Sequence, residues 1–278
     1  MRWLAYSNLF IALAAACAVH ETYHLLDVEP RWGGVSALVF CATLLVYNLD
    51  RLLDAPDRRD DWSERHRWVE EHRRWLWGMA AVGGMGVVVS LAFVSRTVWM
   101  ALIPLGMAAV GYTLPLVRGG EGGDRLKDLP GLKIVLIAGV WAGATALLPA
   151  IEVRGWNIDT EALWIGGERA LFIFALCVPF DVRDAARDRR AGVQTLAHLL
   201  GERRALQLGT AAMVAFGLLC VWRYGLAADA AGPPLLASAL LSAVAVARGH
   251  ARRHPLYFVG LLDGMILLKW VAVVGWLD

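Results

Sequence analysis

Residues 179–201 read PFDVRDAARDRRAGVQTLAHLLG. A long apolar run ends here, and Asp181, Asp184 and Asp188 follow within eight residues, interleaved with Arg183, Arg187, Arg189 and Arg190. On a helix of about 3.6 residues per turn the three aspartates fall at i, i+3 and i+7, within about 60° of one another. The spacing puts Arg183, Arg187 and Arg190 on a different face. A second pair, Asp50 and Asp54, stands one turn apart in YNLDRLLD at the end of another apolar run. Carboxylate oxygens suit hard cations, and Mg²⁺ is typically held by one or two carboxylates together with phosphate oxygens and water. The simplest chemistry for two such faces is to hold Mg²⁺ that in turn holds a diphosphate. Neutralising that diphosphate makes it a better leaving group. The plainer alternative is a solvated collar of surface ion pairs, each worth little. The segment ERHRWVEEHRRWLW (64–77) fits that description as an amphipathic interfacial stretch. The two aspartate pairs repeat the same spacing at corresponding ends of two apolar runs, which a random collar does not produce.

The elements that position these carboxylates are apolar. The 278 residues are 58% hydrophobic and only 19% charged, against about 25% charged for soluble domains. The apolar residues gather in runs near membrane-span length, about 20 residues. Nine helices are predicted, near 6–25, 34–54, 76–95, 98–117, 132–150, 162–182, 204–222, 233–249 and 256–276. The expected fold is an all-α polytopic membrane bundle forming one domain over 1–278, its first span retained rather than cleaved. Cys17, Cys41, Cys177 and Cys220 all fall inside apolar runs, without CxxC spacing, and read as core residues. Glycine-rich stretches such as AAVGGMGVVVS allow close helix approach. Twenty of the 27 basic residues lie in four alternate loops, while the other four loops hold one each (Arg31, Arg96, Arg154 and Arg223). The positive-inside rule then places the N-terminus and both aspartate pairs in the cytoplasm and the C-terminus outside. Membrane lipids are the expected surroundings, in a bacterial cytoplasmic membrane, and no nucleic-acid partner is expected; the net charge of +2 says little on its own.

At this point the sequence resembles the UbiA-type integral membrane prenyltransferases, which have about nine transmembrane helices and aspartate-rich motifs after helices two and six. The second motif is similar in Asp181, Asp184, Asp188, Gly192, Thr195, Leu196 and Gly201. The stretch YTLPL…RLKDLPGLKIVLIAGVWAG (112–143) resembles the family's helix 4–5 region. The resemblance covers roughly 40–200. It implies Mg²⁺-dependent transfer of a prenyl group from an isoprenyl diphosphate to an aromatic or other lipophilic acceptor. Asp50, Asp54, Asp181, Asp184 and Asp188 would be the metal-holding catalytic residues, with Asn48, Arg51, Tyr112, Arg125 and Lys127 near the diphosphate. One departure stands out: the family's first motif reads Asn-Asp-x-x-Asp-x-x-x-Asp, and here Val46 and Tyr47 occupy the Asn-Asp positions. The first motif is one carboxylate short, as in a divergent branch. Tyr47, Tyr112 and Trp141 are candidate walls for an allylic cation.

Three other readings use the same residues. Ionisation without an acceptor gives a terpene cyclase, and an incomplete first motif fits a non-catalytic prenyl-lipid-binding protein. The string HETYH (20–24) is a literal His-Glu-x-x-His, and LLDG (261–264) could offer a third ligand to a membrane-embedded zinc metalloprotease. Depth opposes the last. His20 and His24 fall near the outer end of the first span and Asp263 nearer the inner end of the ninth, so the levels differ by about 10–15 Å at 1.5 Å per residue. His20, Glu21 and His24 then read as an interfacial polar turn, and Asp263 as a residue facing the bundle interior, with Lys269 a partner only if the helix bends.

Overall fold

The computed structural model describes residues 3, 6–53, 64–113, 132–190, 193–227 and 230–277. The described elements are helical: α1 (Leu9–Leu25), α2 (Gly34–Leu53), α3 (Glu64–Glu71), α4 (Arg73–Leu91), α5 (Arg96–Thr113), α6 (Leu132–Arg154), α7 (Thr160–Arg190), α8 (Leu196–Leu200), α9 (Glu202–Tyr224), α10 (Gly232–Ala247) and α11 (Tyr257–Leu277). Six are long and apolar enough to cross a membrane (α2, α4, α6, α7, α9 and α11), and three shorter apolar helices stand with them (α1, α5 and α10). These nine correspond in order to the nine predicted from the sequence. The chain is an all-α polytopic membrane bundle.

Neighbours in the bundle form a closed circuit. Helix α1 packs on α2 and α11, α11 on α10, α10 on α9, α9 on α7, and α7 on α6. Helix α6 returns to α1 through its π-helical turn Gly143–Leu147, while α5 bridges α2 and α6 and α4 lies along α2. Small residues make the tightest contact possible. A Cβ on Gly83 would stand 2.9 Å from the Cys41 carbonyl oxygen, and one on Gly86 would collide with the Cys41 sulfur. Lipid supplies no hydrophobic drive between helices, so this close approach is what holds α4 against α2. Elsewhere the surface that meets lipid is apolar, as with Val88, Phe93, Met107 and Trp222.

Short helix α3 packs one face against the ends of α2 and α4. Its Val69 packs with Leu52 and Leu76, and Trp68 stacks on His72 and meets the edge of Trp3. Helix α7 is the exception to the length rule. Its 31 residues span about 46 Å against a hydrocarbon layer of about 30 Å. It continues unbroken through Pro179 to Arg190, so its final turns carry the aspartates beyond the apolar layer on a rigid rod.

Candidate functional site

The site forms where the ends of α6 and α7 pack together, with the end of α2 within electrostatic reach through Asp263. Along α7, Cys177, Asp181, Asp184 and Asp188 occupy one stripe at i, i+4, i+7 and i+11. Across from it Lys133, in the first turn of α6, donates to Asp188 Oδ2 at 2.9 Å. Lys133 also lies within electrostatic reach of Asp184 and Asp181, so one ammonium serves all three carboxylates. Asp184 is clamped by Arg183, with Nε to Oδ1 and Nη2 to Oδ2 both at 2.9 Å. That corrects the sequence reading, which set Arg183 on a separate face: its long stem swings the guanidinium sideways onto the adjacent carboxylate. The same guanidinium covers the rings of Phe180 and Phe258 at 5.1 and 4.8 Å, tying α7 to α11.

Asp181 has a double role. Its Oδ2 accepts from the backbone N–H of Ala197 at 2.9 Å, one of the unpaired donors in the first turn of α8. Its Oδ1 is buried and has no hydrogen-bond partner among the described residues. Thr195 caps α8 in a reciprocal arrangement with His198. A small cleft lies between Lys133, Ile134, Asp181 and the strap Val193–Leu196.

From α2 come Tyr47, Asp50 and Arg51. Tyr47 and Asp50 share a face at i and i+3, and Arg51 donates to the Tyr6 carbonyl. Arg51 and Arg183 both lie within electrostatic reach of Asp263 on α11. The Trp141 indole on α6 donates to the Tyr47 hydroxyl at 3.0 Å. Tyr47, Cys177, Arg183, Asp184 and Asp263 keep accessible surface although protein surrounds them. Electrostatic reach joins them in one group between α2, α7 and α11.

Of the sequence-predicted residues, the structure brings Asp181, Asp184 and Asp188 to one mouth, with Arg51 nearby through Asp263. Asn48 goes elsewhere. Its amide oxygen accepts from Asn8 at 3.0 Å, and its amide nitrogen donates to the Ser7 and Leu44 carbonyls at 3.3 and 2.7 Å. It is buried and holds the chain's start against α2. Asp54, Arg125 and Lys127 lie outside the described residues, as does the Tyr112 side chain, whose backbone lies in the last turn of α5. Sequence reasoning passed over Lys133 and Arg183. For Lys133 the available signal was a basic residue one step inside an apolar helix, where only a carboxylate partner makes it affordable.

The His-Glu-x-x-His string is corrected as well. Glu21 is fully buried and pairs with Lys269, with Arg169 Nη2 3.6 Å from its other oxygen. It is a core ion network, not an interfacial turn, because α7 and α11 bring cations to it. Lys269 therefore does not pair with Asp263. His20 stacks on Trp32 and accepts from the Trp270 indole. Glu21, bound to two cations, is not placed as a general base.

A family model described as the UbiA prenyltransferase family matches residues 71–256. The chain belongs to the UbiA prenyltransferase family. That match takes in the second aspartate motif and Lys133 but begins beyond Asp50 and Asp54. A curated relative, 1,4-dihydroxy-2-naphthoate octaprenyltransferase of Bacillus subtilis (strain 168), is 27% identical over 171 residues, which is 58% of this chain. The matched region spans 50% of that relative, so the chain covers about half the length of the curated protein it matches. Among solved structures, a UbiA homologue from Archaeoglobus fulgidus bound to GPP and Mg²⁺ superposes with TM-score 0.66 at 14% identity, covering 100% of this chain and 99% of that one. The apo structure of a UbiA homologue from Aeropyrum pernix K1 gives 0.66 at 17% identity, with 95% and 96% covered. At these identities the likeness establishes the UbiA fold.

Among the described residues no three His, Cys, Asp or Glu side chains are gathered tightly enough to hold a metal ion. The aspartates are instead spread along α7, each already bonded. Their donor type nevertheless fits Mg²⁺: oxygens only, in neighbouring turns, one of them (Asp181 Oδ1) unpaired.

Proposed function

We propose that this UbiA-family chain transfers a prenyl group from an isoprenyl diphosphate to an aromatic or other lipophilic acceptor, with Mg²⁺. The observation that carries it is the convergence of Asp181, Asp184, Asp188, Lys133 and Arg183 at one end of the bundle, with the Tyr47–Trp141 pair further along α2 and α6. The UbiA homologue bound to GPP and Mg²⁺, and the naphthoate octaprenyltransferase relative, support the same reading.

Asp184 and Asp188, with Asp50 and Asp54 of the first motif, would hold Mg²⁺, and Asp181 Oδ1 would add a further oxygen. The bound metal supplies charge neutralisation that makes the diphosphate a better leaving group. The remaining work belongs to the chain. Lys133 and Arg183 are paired with Asp188 and Asp184; both would turn to the oxygens of a bound diphosphate and strengthen binding as negative charge develops. Arg125, Lys127 and Tyr112 are proposed, on the family resemblance, to bind the diphosphate, and Arg51 to face it from α2. The prenyl chain lies inward along Tyr47, Trp141 and Cys177; the rings of Tyr47 and Trp141 steady an allylic cation, and the packing of all three keeps water away. Asn48 acts at one remove, by fixing α2 against the start of the chain. The protein would sit in a bacterial cytoplasmic membrane with the aspartate end in the cytoplasm, as the basic loops direct.

The test is to incubate purified protein with Mg²⁺ and labelled geranyl or dimethylallyl diphosphate, with and without 1,4-dihydroxy-2-naphthoate, and measure diphosphate release and labelled product. Acceptor-dependent product is the expected result. Release with cyclised product and no need of an acceptor makes the protein a cyclase, and no release at all removes catalysis.

A further inference from the structure

We propose that Asp263 is a catalytic residue that takes the hydroxyl proton from a hydroxy-aromatic acceptor as it attacks the prenyl group. This rests on the transferase reading above and assigns the acceptor side of the site.

Position carries the proposal. Asp263 begins the α-helical part of α11, directly after the π-helical turn Tyr257–Leu262. Such turns insert one residue and re-aim the next side chain, and they recur at functional sites. Here Asp263 is aimed into the bundle rather than at lipid. It keeps accessible surface while Arg51 and Tyr47 of α2 and Arg183 and Cys177 of α7 surround it. Cys177 is seven residues inward from Asp184, about 10 Å along the helix, and Tyr47 three residues inward from Asp50, about 4.5 Å. Asp263, beside both, lies one step below the diphosphate seat. Carbon 1 of a prenyl diphosphate hangs from the diphosphate by a single bridging oxygen, so it enters this level. An attacking acceptor atom must come within about 3–3.5 Å of it.

A carboxylate within a span is costly and therefore marks a function or a firm partner. The other deep carboxylates have firm partners: Glu21 pairs with Lys269, and Glu168 with Arg223 at 2.7 Å and with Tyr224. Among the described residues Asp263 makes no such close ion pair, and it is only partly buried. The elements packed on α11 add no competing charge at its level. Helix α1 sets Phe10 beside Gly264 and carries Glu21 at the level of Lys269, and α10 holds no ionisable residue.

The step balances. The acceptor hydroxyl proton passes to a carboxylate oxygen of Asp263 while a ring carbon forms the new bond to carbon 1. The carbon 1–oxygen bond breaks and its electron pair leaves on the diphosphate. The ring C–H proton then departs with the diphosphate and the hydroxyl proton returns, so each transfer yields prenylated acceptor, diphosphate and one proton.

The experiment compares wild type with Asp263→Asn and Asp263→Glu, using geranyl diphosphate, Mg²⁺ and 1,4-dihydroxy-2-naphthoate. Asp263→Asn should lower kcat on the order of 100-fold with little change in KM for geranyl diphosphate. It should also keep the thermal stabilisation given jointly by Mg²⁺ and geranyl diphosphate. The acid limb of the kcat profile should vanish, the deficit should shrink at high pH where the acceptor ionises unaided, and Asp263→Glu should recover part of the rate. If Asp263→Asn keeps full kcat, or loses the joint stabilisation while Asp263→Glu recovers no rate, Asp263 is only a counter-ion to Arg51 and Arg183 and the proposal falls. If the wild type itself shows neither joint stabilisation nor transfer, the transferase reading fails first.

Discussion

Lys133 decides the electrostatics of the mouth. Three carboxylates on one stripe repel one another, and a single ammonium at 2.9 Å from Asp188 offsets much of that repulsion. If the same cation turns to the diphosphate on binding, Lys133→Met should raise KM for geranyl diphosphate on the order of 10-fold. Steady-state kinetics at fixed Mg²⁺ measures this, and an unchanged KM would leave Lys133 as a partner of Asp188 alone. Asp184→Asn keeps shape and removes charge. Mg²⁺ with geranyl diphosphate should stabilise wild type more than either alone by ligand linkage, and this variant should lose the joint effect. Asp60→Asn and Asp61→Asn, in the polar stretch before α3, should change it little. A full joint shift in Asp184→Asn, read by thermal unfolding in detergent, would reduce these carboxylates to a solvated helix end.

Helix α8 is five residues long, too short to be stable by propensity. It stands because Thr195 caps it and Asp181 takes the Ala197 N–H. Through α8, the strap Val193–Leu196 is held over Lys133 and Ile134. Asp181→Ala should cost about 1 kcal/mol as a lost cap, and amide exchange should accelerate across 195–200 but not along α7. Uniform protection in the variant would mean that Asp181 does not organise this element.

Across the molecule, buried charge pins the end of the bundle opposite the aspartates. Glu21, Lys269 and Arg169 join α1, α11 and α7 in one network, and Arg169 also donates to the Ala18 carbonyl at 3.1 Å. Breaking such a network by removing one partner leaves an uncompensated charge, at about 3–5 kcal/mol. Glu21→Gln or Lys269→Met alone should therefore lower Tm markedly, and the double variant should recover part of the loss. Equal, additive losses would show that the two residues do not act as a pair. Topology belongs to the same scale. Reporters fused after Arg59 and Arg190 should both report cytoplasm and one after Arg154 the opposite side, since the basic loops and the shared mouth require the first two ends together.

The sequence by itself determined the all-helical bundle, the order of its nine apolar helices and the stripe Asp181, Asp184, Asp188. Those follow from run length, periodicity and loop charge, which are properties of neighbouring residues. Which cation meets which carboxylate was decided only when helices distant in sequence came together. Arg183 and Lys133 were visible as basic residues, but their partners depended on a side-chain swing and on α6 packing against α7. Asn48 sits beside the first motif, yet the fold spends it on Ser7 and Asn8, because the chain's start returns across α2. His-Glu-x-x-His carries a metal-binding spacing, and the tertiary structure placed Lys269 and Arg169 against its glutamate instead. Spacing along one helix fixes a face; what that face meets is a property of the bundle, because apolar packing and the cost of an unpaired buried charge select the partner.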